Sequence, residues 1–143
     1  MTSVTLVRRI RARPSIVFEA LVRAKDIAQW WGPDAGPVLI SEVDARVGGR
    51  FRIRFRLLDG TEHECTGEYL EVTRPKRVTM TWRWTEGGAD AGESRLVFVL
   101  RAISEGTELT LTHGRLQDEE SKLSHEGGWS GALDKLVAML EQG

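Results

Sequence analysis

The sequence predicts an α+β fold in which one antiparallel sheet packs against a long C-terminal helix. Two segments, 51–57 and 78–84, alternate between apolar side chains and polar or charged ones, which is the pattern of half-buried strands. An apolar stripe at helical spacing lies near the C-terminal end, over 129–140. With 143 residues, of which 41% are hydrophobic, the chain is expected to form a single domain over 1–143.

One strand and two short helices are predicted for the N-terminal part. Residues 2–11 alternate as a strand does. Pro14 fits the first turn of a helix, because its missing N–H has no helical partner there. A second helix is predicted over Ala24–Trp30, and Gly32-Pro33 ends it. Val38–Val43 is the next predicted strand.

Charge pairing selects the register of the hairpin that follows. A two-residue turn would place Glu64 beside Phe55. A three-residue loop with Gly60 in the left-handed conformation pairs Arg54 with Glu64 and Phe55 with His63. We predict the second register, because it places opposite charges side by side on the outer face.

The strand after this hairpin is predicted to contain a β-bulge. The hairpin register points Cys65 and Tyr69 inward, whereas pairing with the next strand, 78–84, points Leu70 and Val72 inward. Both patterns hold only if one extra residue is inserted, and we expect it near Gly67.

Two more strands and a long helix complete the predicted order of elements. The strands are 94–101 and 107–113, after a loop over 87–92, and Asp118 is placed to cap the helix. Gly127-Gly128 are expected to let helix and sheet approach closely. The apolar stripe of the helix consists of Trp129, Leu133, Leu136, Val137 and Leu140.

Composition excludes several classes of protein. No apolar run reaches the ~20 residues of a membrane helix, and arginines at 8 and 9 interrupt the N-terminus before a secretory signal could form. Cys65 is the only cysteine, which excludes an internal disulfide and a multi-thiolate zinc site. We expect Cys65 to be a small buried residue rather than a nucleophile, and the protein to be cytoplasmic.

Charge is divided unevenly along the chain. The net charge is −1, but residues 1–56 carry a net +6 and residues 57–143 a net −7. A nucleic-acid site on the basic half is one interpretation. We favour mutual neutralisation of the two halves, as in the hairpin, and expect neither a nucleic-acid nor a membrane partner.

Five short motifs, in this order, resemble those of one family. They are Trp30-Trp31-Gly32-Pro33, Asp44-x-Arg46-x-Gly48-Gly49-x-Phe51, Gly67-x-Tyr69-x-Glu71-Val72, Thr81-Trp82, and Gly128-Trp129 with Leu133 and Leu136. The set resembles the activator of heat-shock-protein-ninety ATPase homologues, a branch of the SRPBCC, or START-like, superfamily. The resemblance extends from about Val4 to Leu140.

The resemblance implies the helix-grip fold of START-like and birch-pollen-allergen-like proteins. Its order is β-α-α-β6-α, with the sheet wrapped on the long helix and often an apolar cavity between them. Relatives bind lipids, hormones or polyketides, and a few are cyclases, hydratases or lyases. The eukaryotic namesake is a co-chaperone with an additional N-terminal domain, which we do not expect in this chain.

Titratable side chains show no motif for metal or nucleophilic chemistry. The three histidines are not at metal-ligand spacing, and we expect no metal and no cofactor. His113 is in phase with inward residues and is expected to be buried and hydrogen-bonded, whereas His125 is expected to be exposed. Glu68 and Glu71 are the carboxylates nearest the expected bulge, and we favour solvent-facing positions for both.

Five tryptophans in 143 residues carry more information. They either pack as core or line a pocket for an apolar ligand. Trp30 and Trp31 are adjacent, so we expect one to close the cavity mouth and the other to pack outside. The candidate ligand-binding residues are Trp30, Phe55, Tyr69, Met80, Trp82, Trp84, His113, Trp129, Leu133 and Leu136.

The sequence therefore favours a non-enzymatic protein, a monomer or homodimer, that binds a small hydrophobic molecule between sheet and helix. A first alternative is an enzyme of the cyclase, hydrolase or lyase kind that uses His113 or an inward glutamate. A second alternative is a chaperone-interacting stress protein.

Overall fold

Seven antiparallel strands form one sheet in the computed structural model, which describes residues 2–85, 93–116 and 119–141. The elements are β1 (Thr2–Ile10), α1 (Pro14–Val22), α2 (Ala24–Trp30), β2 (Val38–Val43), β3 (Arg50–Arg56), β4 (Glu62–Thr73), β5 (Arg77–Trp84), β6 (Ser94–Ile103), β7 (Gly106–Leu116) and α3 (Glu119–Glu141). The strands lie in the order β1-β7-β6-β5-β4-β3-β2. This arrangement confirms the predicted α+β fold and its order of elements.

The hairpin of β3 and β4 has the predicted register. Arg54 lies opposite Glu64 and Phe55 opposite His63. Gly60 in the connecting loop has a φ of 91°, a conformation that costs little only for glycine. The loop therefore fixes the register, which keeps the apolar side chains of β3 buried and its arginines outside.

The bulge in β4 lies at Leu70, beyond the predicted position near Gly67. The register against β5 shifts between the residues on either side of Leu70. Tyr69 is fixed against the end of the neighbouring hairpin, because its N–H donates to the Gly49 carbonyl at 2.9 Å and its carbonyl accepts from the Gly48 N–H at 2.9 Å. The extra residue therefore falls after Tyr69, and the prediction that Leu70 faces inward is wrong, since Leu70 is exposed.

The last strands are longer than their alternating patterns indicated. β6 continues to Ile103 and β7 to Leu116. The predicted loop over 87–92 and the predicted helix cap at Asp118 lie outside the described residues.

Helix α3 packs its apolar stripe on the sheet. Trp129, Leu133 and Leu136 are buried, and Val137 and Leu140 pack partly buried beside them. Within the described ranges, no helix combines the length and the apolar character needed to cross a membrane.

The close approach of α3 involves Gly131 and a loop rather than the predicted glycine pair and the sheet. A Cβ on Gly131 would lie 2.2 Å from the carbonyl oxygen of Pro33, which is far inside contact distance. A Cβ on Gly128 would meet Pro33 at an ordinary 3.8 Å, and one on Gly127 would meet nothing within 4 Å. Gly131 is therefore the residue that lets the loop of residues 31–34 lie against the helix.

Lys135, one helical turn beyond Gly131, binds the same loop through hydrogen bonds. Its Nζ donates to the carbonyl of Trp31 at 3.0 Å and to that of Asp34 at 2.6 Å. Partial burial lowers the pKa of Lys135, and the negative charge of Asp34 opposes this effect. The loop that follows α2 is thereby held between α3 and the interior.

Candidate functional site

Aromatic rings form a continuous cluster between the sheet and α3. At its centre, the ring of Trp82 stacks on Trp31 with centroids 5.5 Å apart. Trp82 also meets Trp129 at 5.4 Å and Trp84 at 5.3 Å, in both cases edge to face. These separations are typical of rings in direct contact. The aromatic cluster comprises Trp30, Trp31, Phe51, Phe55, His63, Tyr69, Trp82, Trp84, Phe98, His113, His125 and Trp129.

Trp30 and Trp31 both face the interior, so the prediction that one packs outside is wrong. α2 ends at Trp30, and Trp31 has an extended backbone with φ −67° and ψ 149°. The change of direction between them turns both rings inward. Trp30 donates from Nε1 to the Ala20 carbonyl at 2.9 Å. Trp31 is a central ring of the cluster, although it is absent from the predicted binding residues.

His113 is buried in a closed hydrogen-bond network. The Trp129 indole N–H donates to its Nδ1 at 2.9 Å. Because an indole nitrogen is only a donor, the imidazole proton lies on Nε2, which donates to Ser94 Oγ at 2.7 Å. The Ser94 hydroxyl in turn donates to the carbonyl of Trp82 at 3.3 Å. This confirms the prediction of a buried, hydrogen-bonded histidine.

The network keeps His113 uncharged. Burial, with a smaller contribution from the nearby His125, lowers the pKa of His113 to about 3. The lone pair on Nδ1 is already used by Trp129. A role for His113 as a general base would first require that bond to break, so the geometry favours a structural imidazole over a catalytic one.

His125 belongs to the cluster, and the prediction that it is exposed is wrong. The Trp84 indole N–H donates to its Nε2 at 3.3 Å, and its ring lies 4.6 Å from that of His113. The side chain is half-buried. The signal that the sequence offered was its spacing of four residues from Trp129, which places both on one face of α3.

The candidate carboxylates lie outside the interior, as predicted. Glu68 is 3.9 Å from Arg50, and Glu71 is 3.2 Å from Arg77. Both side chains are partly exposed to solvent. Within the described parts of the chain, no group of three or more His, Cys, Asp or Glu side chains is arranged to hold a metal ion.

The structure brings the predicted binding residues into one region. All are buried except Trp84, which is half-buried. Met80, Leu133 and Leu136 belong to the same hydrophobic core as the rings. Their role in binding stays a prediction, because packing against one another already accounts for their burial.

One end of the cluster reaches the surface. Trp84, His63 and His125 are half-buried, and the ring of Trp84 lies 5.9 Å from each of the two imidazoles. Phe55 lies behind them, 6.2 Å from Trp84. The indole of Trp84 and the two imidazoles are therefore accessible at this end, while the rings around Trp30 and Trp31 are enclosed.

The sheet wrapped on a C-terminal helix, with aromatic rings between them, defines a helix-grip α+β protein. Residues 11–141 match the family model described as "Activator of Hsp90 ATPase homolog 1-like protein". The chain belongs to this family, which confirms the resemblance noted from its five motifs.

Solved structures of bacterial proteins share this fold over 93% or more of their length. The AHSA1 protein from Silicibacter pomeroyi is 28% identical, with 99% of each chain covered and a TM-score of 0.88. A protein from Chromobacterium violaceum is 26% identical, with 99% of each chain covered and a TM-score of 0.86. The AHSA1-like protein from Aeromonas hydrophila is 21% identical, with a TM-score of 0.77 over 99% of this chain and 93% of its own. No curated protein shows significant sequence similarity to this chain.

Proposed function

We propose that this protein binds a small, largely apolar molecule between the sheet and α3, at the half-buried end of the aromatic cluster. The observation that carries the proposal is the unbroken chain of ring contacts from the enclosed Trp31 through Trp82 to the half-buried Trp84. Such walls of aromatic and aliphatic side chains with few polar groups are typical of small-molecule sites.

The contacts between the rings and their burial indicate where a ligand would enter. The rings are in mutual contact, so binding requires some of them to separate. Trp84 is less buried than Trp82 and Trp129, and its indole is tethered to the half-buried His125 at 3.3 Å. Moving Trp84 and His125 therefore disturbs less of the core than moving the enclosed rings, and supports entry at this end.

Tryptophan fluorescence and thermal melting test the proposal directly. A panel of lipids, flavonoids and polyketide-like compounds should include ligands that change tryptophan emission and raise the melting temperature as their concentration increases. Trp84→Ala should weaken such binding. Leu123→Ala is the matched control, because Leu123 lies on the same helix with 62% of its surface exposed. A panel that changes neither signal would contradict the proposal.

We also propose that the protein is cytoplasmic, that it is a monomer or a homodimer, and that it binds neither nucleic acid nor a membrane. The part on nucleic acid is supported by the pairing of the β3 arginines with carboxylates, such as Arg54 with Glu62 at 2.7 Å and Arg56 with Glu62 at 3.1 Å. Light scattering after gel filtration measures the oligomeric state, and titration with duplex DNA checks the nucleic-acid part. Tight DNA binding at physiological salt would contradict it.

A further inference from the structure

We infer that the ligand carries an uncharged hydrogen-bond acceptor, such as a carbonyl or ether oxygen, that binds the indole N–H of Trp82. This inference rests on the proposed function and adds the chemical class of the ligand to it. The inference is based on the indole N–H of Trp82, which is buried but has no hydrogen-bond acceptor among the described residues.

The indole nitrogen of Trp82 is a buried donor without an acceptor. Trp82 is 3% exposed. Within the described residues, no acceptor lies within hydrogen-bonding distance of its Nε1, which is itself inaccessible to solvent. A buried N–H group without a partner is unfavourable, and buried donors in native proteins are nearly always paired.

Three other indoles of the cluster have acceptors within the chain. The N–H of Trp30 donates to the Ala20 carbonyl, and that of Trp84 donates to His125. The N–H of Trp129 donates to His113. The chain thus supplies acceptors to these three indoles and leaves that of Trp82 unmatched among the described residues.

The imidazole nearest to Trp82 is already engaged. His113, with its ring 5.2 Å from that of Trp82, uses Nδ1 to accept from Trp129 and Nε2 to donate to Ser94. Rearranging this network would leave another donor unpaired. An acceptor brought by a ligand satisfies Trp82 without that loss.

The surroundings also define the charge of the ligand. The rings in contact with Trp82 are aromatic, and the low pKa of His113 keeps the nearest imidazole neutral. Among the described residues whose rings contact Trp82, none carries a permanent positive charge that would balance an anionic oxygen. An unpaired charge is strongly disfavoured in an apolar interior. A flat molecule with a neutral oxygen fits the rings and the single donor together.

Two probes of the same carbon skeleton test the inference. Indane has no acceptor, and 1-indanone carries one carbonyl. Calorimetry measures the dissociation constant of each probe for the parent protein and for Trp82→Phe, a variant that lacks the N–H but keeps an aromatic ring. The quantity compared is the dissociation constant of indane divided by that of 1-indanone. Comparing the ratios cancels the hydration of the ketone. The ratio should fall about tenfold in Trp82→Phe, which corresponds to about 1.4 kcal/mol.

Trp30→Phe is the control, because the Trp30 N–H already donates to a backbone carbonyl, that of Ala20, and its removal leaves the His113 network intact. This change should alter the affinity for both probes by a similar factor and leave their ratio unchanged. A second measurement does not depend on any variant. The indole N–H resonance of Trp82 should move downfield on adding 1-indanone to the parent protein and should not do so with indane.

The outcomes separate the inference from the proposed function. Equal ratios in the parent and Trp82→Phe, or an unmoved Trp82 N–H resonance with 1-indanone bound, overturn the inference and leave binding itself in place. Failure of both probes to bind the parent protein overturns the inference and counts against the proposed function as well.

Discussion

The two faces of β3, β4 and β5 are stabilised in opposite ways. On the outer face, the exposed Glu62 is 2.7 Å from Arg54 and 3.1 Å from Arg56. On the inner face, Phe51 and Trp82 lie 6.3 Å apart, in a cluster whose central rings are buried. The same strands therefore present charged pairs to water and rings to α3.

The outer face determines the register of strand pairing, and the inner face determines the free energy of unfolding. Exposed ion pairs contribute little to the free energy of unfolding, because water and salt screen them. Their alternation along the strands nevertheless excludes a slipped register, which would bury arginines. Burial of large rings contributes several kcal/mol for each side chain. The outer face thus selects the pairing, and the inner face provides most of the stability.

The largest effect is expected for Trp129, which connects α3 to the inner face. Trp129→Ala should reduce the free energy of unfolding by ~3–5 kcal/mol, because it leaves a cavity and an unpaired His113 Nδ1. Urea denaturation measures the change. Leu123→Ala, on the exposed side of the helix, should change it by less than ~0.5 kcal/mol. If the two variants unfold alike, the inner face does not dominate stability.

Two glycines of α3, Gly131 and Gly127, test how closely the helix packs against the loop of residues 31–34. Gly131→Ala should destabilise the protein by ~1–3 kcal/mol, since its Cβ would overlap the Pro33 carbonyl. Gly127→Ala is the matched control and should stabilise by ~0.5–1 kcal/mol, because alanine favours a helix and its Cβ would meet nothing. Melting temperatures that rise for both variants would show that the loop yields easily.

Acidification should affect the two faces in different pH ranges. Below pH ~6.5 an unfolded histidine binds a proton, whereas folded His113 stays neutral until its pKa of about 3. The unfolded state therefore binds more protons, and the free energy of unfolding should fall by up to ~1.4 kcal/mol for each pH unit below 6.5. On the outer face, Arg54 and Arg56 lower the pKa of Glu62, so that its contribution is lost only as the pH falls below about 4.5.

Denaturation between pH 7 and pH 5 isolates the contribution of the inner face. His113→Gln removes the titrating group and should give a flatter pH dependence than the parent over this range. A parent protein whose stability is constant from pH 7 to pH 5 would contradict a neutral, buried His113.

The smallest effect is expected on the outer face. A double-mutant cycle on Arg56 and Glu62, whose charged groups are 3.1 Å apart and exposed to solvent, should give a coupling energy of ~0.2–1 kcal/mol. The coupling should decrease in 1 M NaCl, where the screening length is about 3 Å. A salt-independent coupling above ~2 kcal/mol would mean that this pair acts as a buried one.

The sequence was informative where local pattern determines structure. The order of elements and the hairpin register followed from alternation, from the charges of Arg54 and Glu64, and from one glycine at position 60. The burial of His113 followed from its phase with Leu109 and Leu111. In each case the neighbours that decide the outcome lie on the same strand or the same hairpin.

Tertiary contacts were harder to predict from the sequence. The inward turn of Trp31 depends on the backbone after α2, and the position of His125 depends on where α3 meets β5. The bulge moved to Leu70 because a different hairpin fixes Tyr69. The spacing of four between Gly131 and Lys135 on α3 was a usable signal for the loop contact, but the sequence alone did not identify the partner.

The order of strands also determines how the chain completes its fold. In the described sheet, β1 lies at an edge beside β7, with Val4 opposite His113 and Ile10 opposite Thr107. Because β7 follows β2 to β6 along the chain, the ribosome makes all of these strands before β1 can meet its partner. The β3–β4 hairpin, in contrast, can pair as soon as Gly60 and the residues after it emerge. Contacts between distant segments form slowly, so the sheet is expected to grow outward from its local hairpins, with β1 joining last.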